Sequence, residues 1–348
     1  MKNTKAILET PGKMVFKEAA VPEPKNDEVL IKVEYVGMCG SDIHGFEHGP
    51  FIPPKDPNQE IGLGHECAGT IVKIGPQVKH LKVGDRVAIE PGVPCGKCRF
   101  CREGHYNICP DVDFMATQPN YRGALTNYLV HPEAYTYKLP DSMSTMEGAL
   151  IEPASVGVHA AMMGDVKPGK KIVILGAGCI GLMTLQACKA LGATQIVVVD
   201  VIEKRLNFAK KLGAMEVING KTEDTVARTH EILGELGADI VFETAGSAIT
   251  AAQAPLIVMR GGKIMIVGTI QGDTPINFLK INREVSIQTV FRYANRYPVT
   301  IDAIESGTFD VKSMVTHIYD YKDTQKAFED SLNLKADIIK AVIKIDEL

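Results

Sequence analysis

From about Lys170 the sequence alternates short apolar runs with glycine turns and amphipathic segments: KIVILGAG, IGLMTLQACKALG, QIVVVD, EKRLNFAKKLG, ADIVFETAG, GKIMIVGT and VSIQTVF. Continuous runs of Val and Ile suit strands covered on both faces, and the intervening periodicity suits helices that do the covering. The alternation therefore predicts an α/β unit with a doubly wound parallel sheet.

Within that unit GAGCIG carries Gly176, Gly178 and Gly181 in the pattern G-x-G-x-x-G. Alone this is a weak signal. Here it directly follows the strand-like KIVIL and opens an amphipathic helix, and QIVVVD ends at Asp200 near the expected acidic position. The first two glycines let the backbone turn and approach a pyrophosphate, the third lets helix pack on sheet, and the helix N-terminus offers amide donors to the phosphates. A dinucleotide is the expected ligand. Asp200 would accept from the adenosine ribose hydroxyls and repel a 2′-phosphate, which favours NAD+ over NADP+, although Arg205 lies close enough in sequence to complicate that preference.

The first 150 residues read differently. IKVEYVG, AGTIVKIG, DRVAIE and LVHPEAYTYKLP are short runs rich in Val, Ile and Tyr between Gly and Pro turns, which predicts a β-rich region with long loops. After Phe291, RYANRYPVTIDAIESG breaks the alternation and leads into mixed helix and strand. The economical arrangement is an α/β domain over 154–291 inserted into a β-rich domain made of 1–153 and 292–348.

One loop of the β-rich part, CGKCRFCREGHYNIC, holds four of the chain's eight cysteines. Cys95, Cys98, Cys101 and Cys109 follow C-x2-C-x2-C-x7-C, a spacing at which one small loop wraps four thiolates around a single ion. Zinc suits four sulfurs, and an iron–sulfur cluster is the alternative. Either way a complete set of four implies a closed, structural site. Four unrelated core cysteines fit poorly with the Gly, Lys, Arg and Glu between them.

A second set is scattered: Cys39, Ser41, Asp42 and His44 in VGMCGSDIH, His65 and Glu66 in LGHECAG, Glu152 and His159 in ALIEPASVGVHA. Each lies in a Gly- or Pro-rich loop beside a strand, where a rigid scaffold presents chemistry. Cys39, His65 and one or two carboxylates would give zinc three protein ligands and leave a position for water or substrate, as a catalytic site needs. Singly each is more simply a buried Cys or a satisfied core His; the weight rests on their joint occurrence.

Composition narrows the partners. A formal net charge of −4 over 348 residues, 45 % of them hydrophobic, gives no basic surface for nucleic acid or anionic lipid. No run of about 18 apolar residues marks a membrane span, and no apolar core flanked by a cleavage site opens the chain, so a cytoplasmic location is expected. In a reducing compartment clustered thiols read as metal ligands before disulfides.

Taken together, VGMCGSDIH, GHE, the four-cysteine lobe, EPASVGVHA, GAGCIG and FRYANRYP resemble the zinc-dependent medium-chain dehydrogenases, and IEPASVGVHA and FRYANRYP point to their polyol branch, typified by sorbitol and xylitol dehydrogenases. The resemblance spans essentially the whole chain. It implies a GroES-like β-rich catalytic domain plus a Rossmann domain, two Zn2+ per chain, NAD+ as cofactor and a homotetramer. Cys39, His65 and Glu66 match the catalytic zinc ligands, with Glu152 a fourth that ligates directly or through water. Ser41 and His44 match a proton relay, and Phe114, Arg292 and Tyr293 match residues lining the substrate pocket. The implied reaction is reversible hydride transfer from a secondary hydroxyl of a polyol to NAD+, giving the ketose. Dehydrogenation of a vicinal diol, threonine or a sugar-alcohol phosphate is the alternative within the class, and a zinc-ribbon binding module with a nucleotide-sensing domain the alternative outside it. One departure is Gly45, where animal sorbitol dehydrogenases carry an aromatic residue, so the pocket mouth is expected to be wider or differently closed.

Overall fold

In a computed structural model, which describes residues 2–347, the chain forms two compact units. One comprises Met1–Glu152, Tyr297–Glu305 and Val311–Leu348, the other Pro153–Arg296 and Ser306–Asp310. The return to the first unit thus falls at Tyr297 instead of 292, and Arg292 and Tyr293 belong to the second unit. Residues 1 and 348 of the expected bounds lie outside the described residues.

The first unit is the GroES-like β domain. Its largest sheet runs in the order Thr136–Lys138, Arg86–Ile89, Glu66–Ile74, Glu28–Gly37, Lys340–Lys344, Val315–Asp320, with Tyr128–Pro132 also paired on Glu28–Gly37. A hairpin of Asn3–Thr10 and Lys13–Ala19, joined by Ile61–Gly62, forms a second sheet. The inner faces bury Val29, Ile31, Val33, Ile71, Val87 and Ile89 against Phe46, Tyr321 and Phe328.

Register in the large sheet decides what meets what. Gly37 pairs with Glu66 on one side and with Val342 on the other, so the residues just past Gly37 lie beside the start of the Lys340–Lys344 strand. Gly37 also has to lack a side chain: a Cβ there would come 2.1 Å from Glu66 Oε2.

The second unit is the Rossmann domain. Six parallel strands run in the order Glu216–Asn219, Gln195–Asp200, Lys171–Leu175, Ala238–Glu243, Val258–Ile266, Ser286–Thr289. The central strands are continuous apolar runs, as sheets covered on both faces require, with Val173, Leu175, Val197, Val241 and Ile264 in the core. Helices Cys179–Ala190, Glu203–Lys211, Thr225–Leu233 and Ala248–Ile257 alternate with them.

Candidate active site

The four-cysteine lobe is a turn of helix wrapped by loops. Cys95, Cys98, Cys101 and Cys109 bring their sulfurs within 4.8 Å of one another. Cys98 caps the short helix Arg99–Arg102 by accepting from Cys101 N at 3.5 Å, and Cys109 Sγ accepts from Cys95 N at 3.4 Å. The Lys97 amide and then the Cys98 amide hold the Cys95 thiol down to about 7, whereas desolvation and the neighbouring thiols push Cys101 up to about 12. All eight cysteines are free thiols. Four soft donors at these separations fit one zinc ion.

The second constellation assembles at one end of the central strands of the large sheet. Cys39 stands at the N-cap of helix Gly40–His48, and Asp42, three residues on, accepts its backbone N–H at 3.3 Å. Asp42 is buried, accepts from Gly64 N at 2.8 Å and lies 3.3 Å from His65 Nδ1. That contact turns Nδ1 of the imidazole toward the carboxylate and leaves Nε2 as the ring nitrogen that a metal would use. Burial opposes the charge on both partners. Their mutual attraction wins, aided for Asp42 by the amides of Gly64 and Cys39 and for His65 by Cys39: Asp42 is held below the ordinary carboxylate range and His65 well above that of imidazole.

Two metal-capable groups share His65: Cys39, Asp42 and His65, and His65, Glu66 and Glu152, each within 4.8 Å. Glu66 and Glu152 are both buried. Burial, then the charges of Glu152 and Glu66, push the nearby Cys67 thiol up, so Cys67 is a neutral core residue. Lys340 is also buried here; its Nζ donates to Glu66 Oε1 at 2.6 Å and to the Met38 carbonyl at 2.9 Å. Linked through His65, a half-buried thiol, an imidazole and two buried carboxylates offer donor types that fit zinc.

Ser41 and His44 lie on the helix that Cys39 caps. The His44 ring stacks on Phe51 with centroids 3.8 Å apart and planes 6° from parallel. Phe51 thus supplies an aromatic face near Gly45, and a Cβ at Gly45 would point at Leu63, 3.3 Å away, not at this stack. Phe114 is buried with its ring 5.4 Å from that of His65. In the other unit Arg292 adopts a left-handed φ of 52° with its guanidinium 4.7 Å over Phe291, and Tyr293 is buried. A non-glycine residue held at positive φ marks local backbone strain.

In the Rossmann unit Gly176 takes φ +107° at the end of its strand, Gly178 caps helix Cys179–Ala190, and a Cβ on Gly181 would lie 1.9 Å from Gly176 O. A Cβ on Gly178 would meet open space, so the backbone there can be approached. Asp200 accepts from Ala177 N at 2.7 Å, Val201 N at 2.8 Å and Ile202 N at 2.9 Å, tying the glycine turn to the end of its own strand. Arg205 sits one turn on, in helix Glu203–Lys211.

Sequence reading named Asp42 without giving it a role and missed Lys340. The capping-box spacing from Cys39 to Asp42 was the available signal for the first. Lys340 gave none beyond one of the two lysines that bracket the strand KAVIK.

A zinc-dependent dehydrogenase is the class that this fold and these two thiol-bearing sites define, and the comparisons agree. The alcohol dehydrogenase GroES-like domain matches residues 25–141 and the zinc-binding dehydrogenase family matches residues 179–306. An "uncharacterized zinc-type alcohol dehydrogenase-like protein YdjJ" of Escherichia coli K12 is 76 % identical over all of both chains, and a sorbitol dehydrogenase of Bacillus subtilis is 42 % identical over 97 % of this chain and 96 % of its own. A crystal structure of an Escherichia coli oxidoreductase/dehydrogenase "of unknown specificity involved in membrane biogenesis" superimposes over the full length of both chains with a TM-score of 0.99 at 75 % identity. The chain belongs to the zinc-dependent medium-chain dehydrogenases, in their polyol branch.

Proposed function

We propose that this chain oxidises a secondary hydroxyl of a polyol such as sorbitol or xylitol to the ketose, reversibly, with NAD+ as acceptor and two zinc ions per chain. The observation that carries this is the pair of donor groups that share the buried His65, half-buried Cys39 with buried Asp42 on one side and buried Glu66 with Glu152 on the other, with Lys340 on Glu66. When bound there, zinc would act as a Lewis acid toward the substrate hydroxyl, and the nicotinamide would take the hydride.

The chain's own residues do the rest. Asp42 holds His65 in the tautomer that presents Nε2. Lys340 offsets the charge of Glu66, so the site is less anionic than its ligands alone would make it. Ser41 and His44 would pass the hydroxyl proton outward, His44 being steadied by its stack on Phe51. Arg292 and Tyr293 would meet hydroxyls further along the polyol, and Asp200 would accept from the adenosine ribose. The catalytic ligand set, the relay and the pocket residues belong to this reading.

A homotetramer is part of the same proposal. The strand Ser286–Thr289 ends the Rossmann sheet with its edge unpaired among the described residues, Ile287 is exposed, and Phe278 and Leu279 are 73 % and 80 % exposed. An open sheet edge, with exposed apolar side chains in the segment that leads to it, favours association between copies. No helix is long and apolar enough to cross a membrane among the described residues, and a cytoplasmic location is proposed with it. The reading is tested by offering the zinc-loaded protein a panel of polyols, diols, threonine and sugar-alcohol phosphates with each nicotinamide cofactor; turnover of none of the polyols would overturn it.

A further inference from the structure

We propose that Glu243 is a positioning residue for the nicotinamide half of the cofactor site; the assignment rests on the dinucleotide reading given above. The strand order places a topological switch between Lys171–Leu175 and Ala238–Glu243, since the chain builds outward on one side as far as Glu216–Asn219 and resumes on the other. Dinucleotides bind across such a switch at the carboxyl ends of the strands, one mononucleotide to each half. Asp200 closes a strand of the first half and Glu243 closes the first strand of the second.

Glu243 is fully buried, yet among the described residues its carboxylate meets no lysine or arginine. It accepts instead from Ala245 N at 3.0 Å, Gly246 N at 3.3 Å, Ser247 N at 3.5 Å and Thr250 Oγ1 at 2.7 Å. Its main-chain oxygen accepts from Val267 N at 2.8 Å and Gly268 N at 2.9 Å, in the loop that follows the next strand. One residue therefore organises the loops after two neighbouring strands.

Those loops are packed too tightly to rearrange independently. A Cβ on Gly268 would fall 2.3 Å from Gly246 N and 2.6 Å from Glu243 Oε2. On the opposite side, a Cβ on Gly176 would fall 2.8 Å from Ala245 N, and Thr244 Oγ1 lies 3.0 Å from the carbonyls of both Leu175 and Gly176. The Thr244–Ser247 loop is thus clamped between the glycine turn and the Val267–Gly268 loop, with the Glu243 carboxylate as the clamp. Burial raises the pKa of that carboxyl against the pull of its donors, a cost that a residue needed only for packing would avoid. Glutamine has the right shape but replaces an accepting oxygen with a donor, so a donor would face a donor.

The test is a half-site dissociation on the zinc-loaded protein, with NADH binding read by fluorescence and AMP binding by calorimetry. Glu243→Gln is expected to raise the Kd for NADH about tenfold or more while leaving that for AMP within about twofold, the loss of one buried charged hydrogen bond being of that size. Asp200→Ala should weaken AMP along with NADH. Should Glu243→Gln fail to fold, Thr250→Val removes one donor and should shift NADH in the same direction by a smaller factor, again sparing AMP. Equal weakening of AMP and NADH, or no change in NADH, overturns the assignment while the dinucleotide reading stands. A wild-type protein that binds neither overturns both.

Discussion

Lys340 and Glu66 form a buried ion pair across 274 residues of sequence, Nζ to Oε1 at 2.6 Å, and the same ammonium holds the carbonyl of Met38, the residue before Cys39. Both side chains are almost completely excluded from solvent. The C-terminal strand is therefore part of the scaffold that aims two candidate ligands, since the antiparallel register beside Gly37 brings Lys340 there.

Breaking that pair should be costly. Lys340→Met leaves the Glu66 charge buried without its partner, and a loss of about 3–5 kcal/mol is expected. Urea denaturation of the zinc-loaded protein measures it. A Lys340→Met variant as stable as the wild type would mean that another group compensates the carboxylate.

A second stability effect depends on pH. His131 is buried with Nε2 2.9 Å from the Glu90 carbonyl, and burial holds its pKa down to about 4. The unfolded chain then binds a proton that the folded chain refuses between about pH 6.5 and pH 4. The stabilisation from neutral His131 is fully present above about 6.5 and is lost as pH falls through that window, to the extent of roughly 3 kcal/mol. His131→Gln, which can still donate to the carbonyl, should flatten the stability curve over this range. An unchanged slope would assign the acid sensitivity elsewhere.

Much of the site was legible because its parts are local. The C-x2-C-x2-C-x7-C spacing closes on itself within one loop, and the glycine turn is set by Gly176 and Gly181, whose missing side chains the packing demands. The pairings of Asp42 and Lys340 were not legible, because each acquires its role from a partner that only the fold supplies: His65 through the loop before Glu66–Ile74, and Glu66 through a strand that enters the sheet last. The first unit resumes at Tyr297 and not at the expected 292 for a similar reason. Tyr297 is fully buried and its hydroxyl donates to the Ile89 carbonyl at 2.7 Å, a long-range bond with no trace in local sequence.

Metal analysis separates the two thiol-bearing sites. The wild type should carry two zinc ions per chain, one held by Cys95, Cys98, Cys101 and Cys109. Cys98→Ser should lose one ion and lower the melting temperature, because a closed thiolate site contributes directly to folding. His65→Ala should abolish turnover with the fold retained. A fully active wild type with one zinc per chain would contradict the two-site account.

Cofactor choice should follow Asp200, with a complication visible in its bonds. Because its carboxylate also binds the amides of Ala177, Val201 and Ile202, Asp200→Ala should both relax the preference for NAD+ over NADP+ and weaken each cofactor. The ratio of kcat/KM values for the two cofactors, wild type against variant, reads this. A wild type equally efficient with both would show that Arg205 or a neighbour overrides the acid.

The central claim is polyol oxidation, and it turns on groups that want hydroxyl partners beyond the reacting one. On the proposed reading Arg292 and Tyr293 meet hydroxyls along the polyol that an alkyl tail lacks, and each such hydrogen bond forgone in a buried site is worth about 1–3 kcal/mol. The direct measurement is the kcat/KM of the zinc-loaded enzyme on sorbitol or xylitol relative to butanol, in the wild type and in Arg292→Ala. A wild-type ratio of about a hundredfold or more is predicted, corresponding to two substrate hydrogen bonds forgone, together with a larger loss on the polyol than on a short diol in the variant. Equal efficiency on butanol and polyols, or an Arg292→Ala loss that is uniform across substrates, would contradict it.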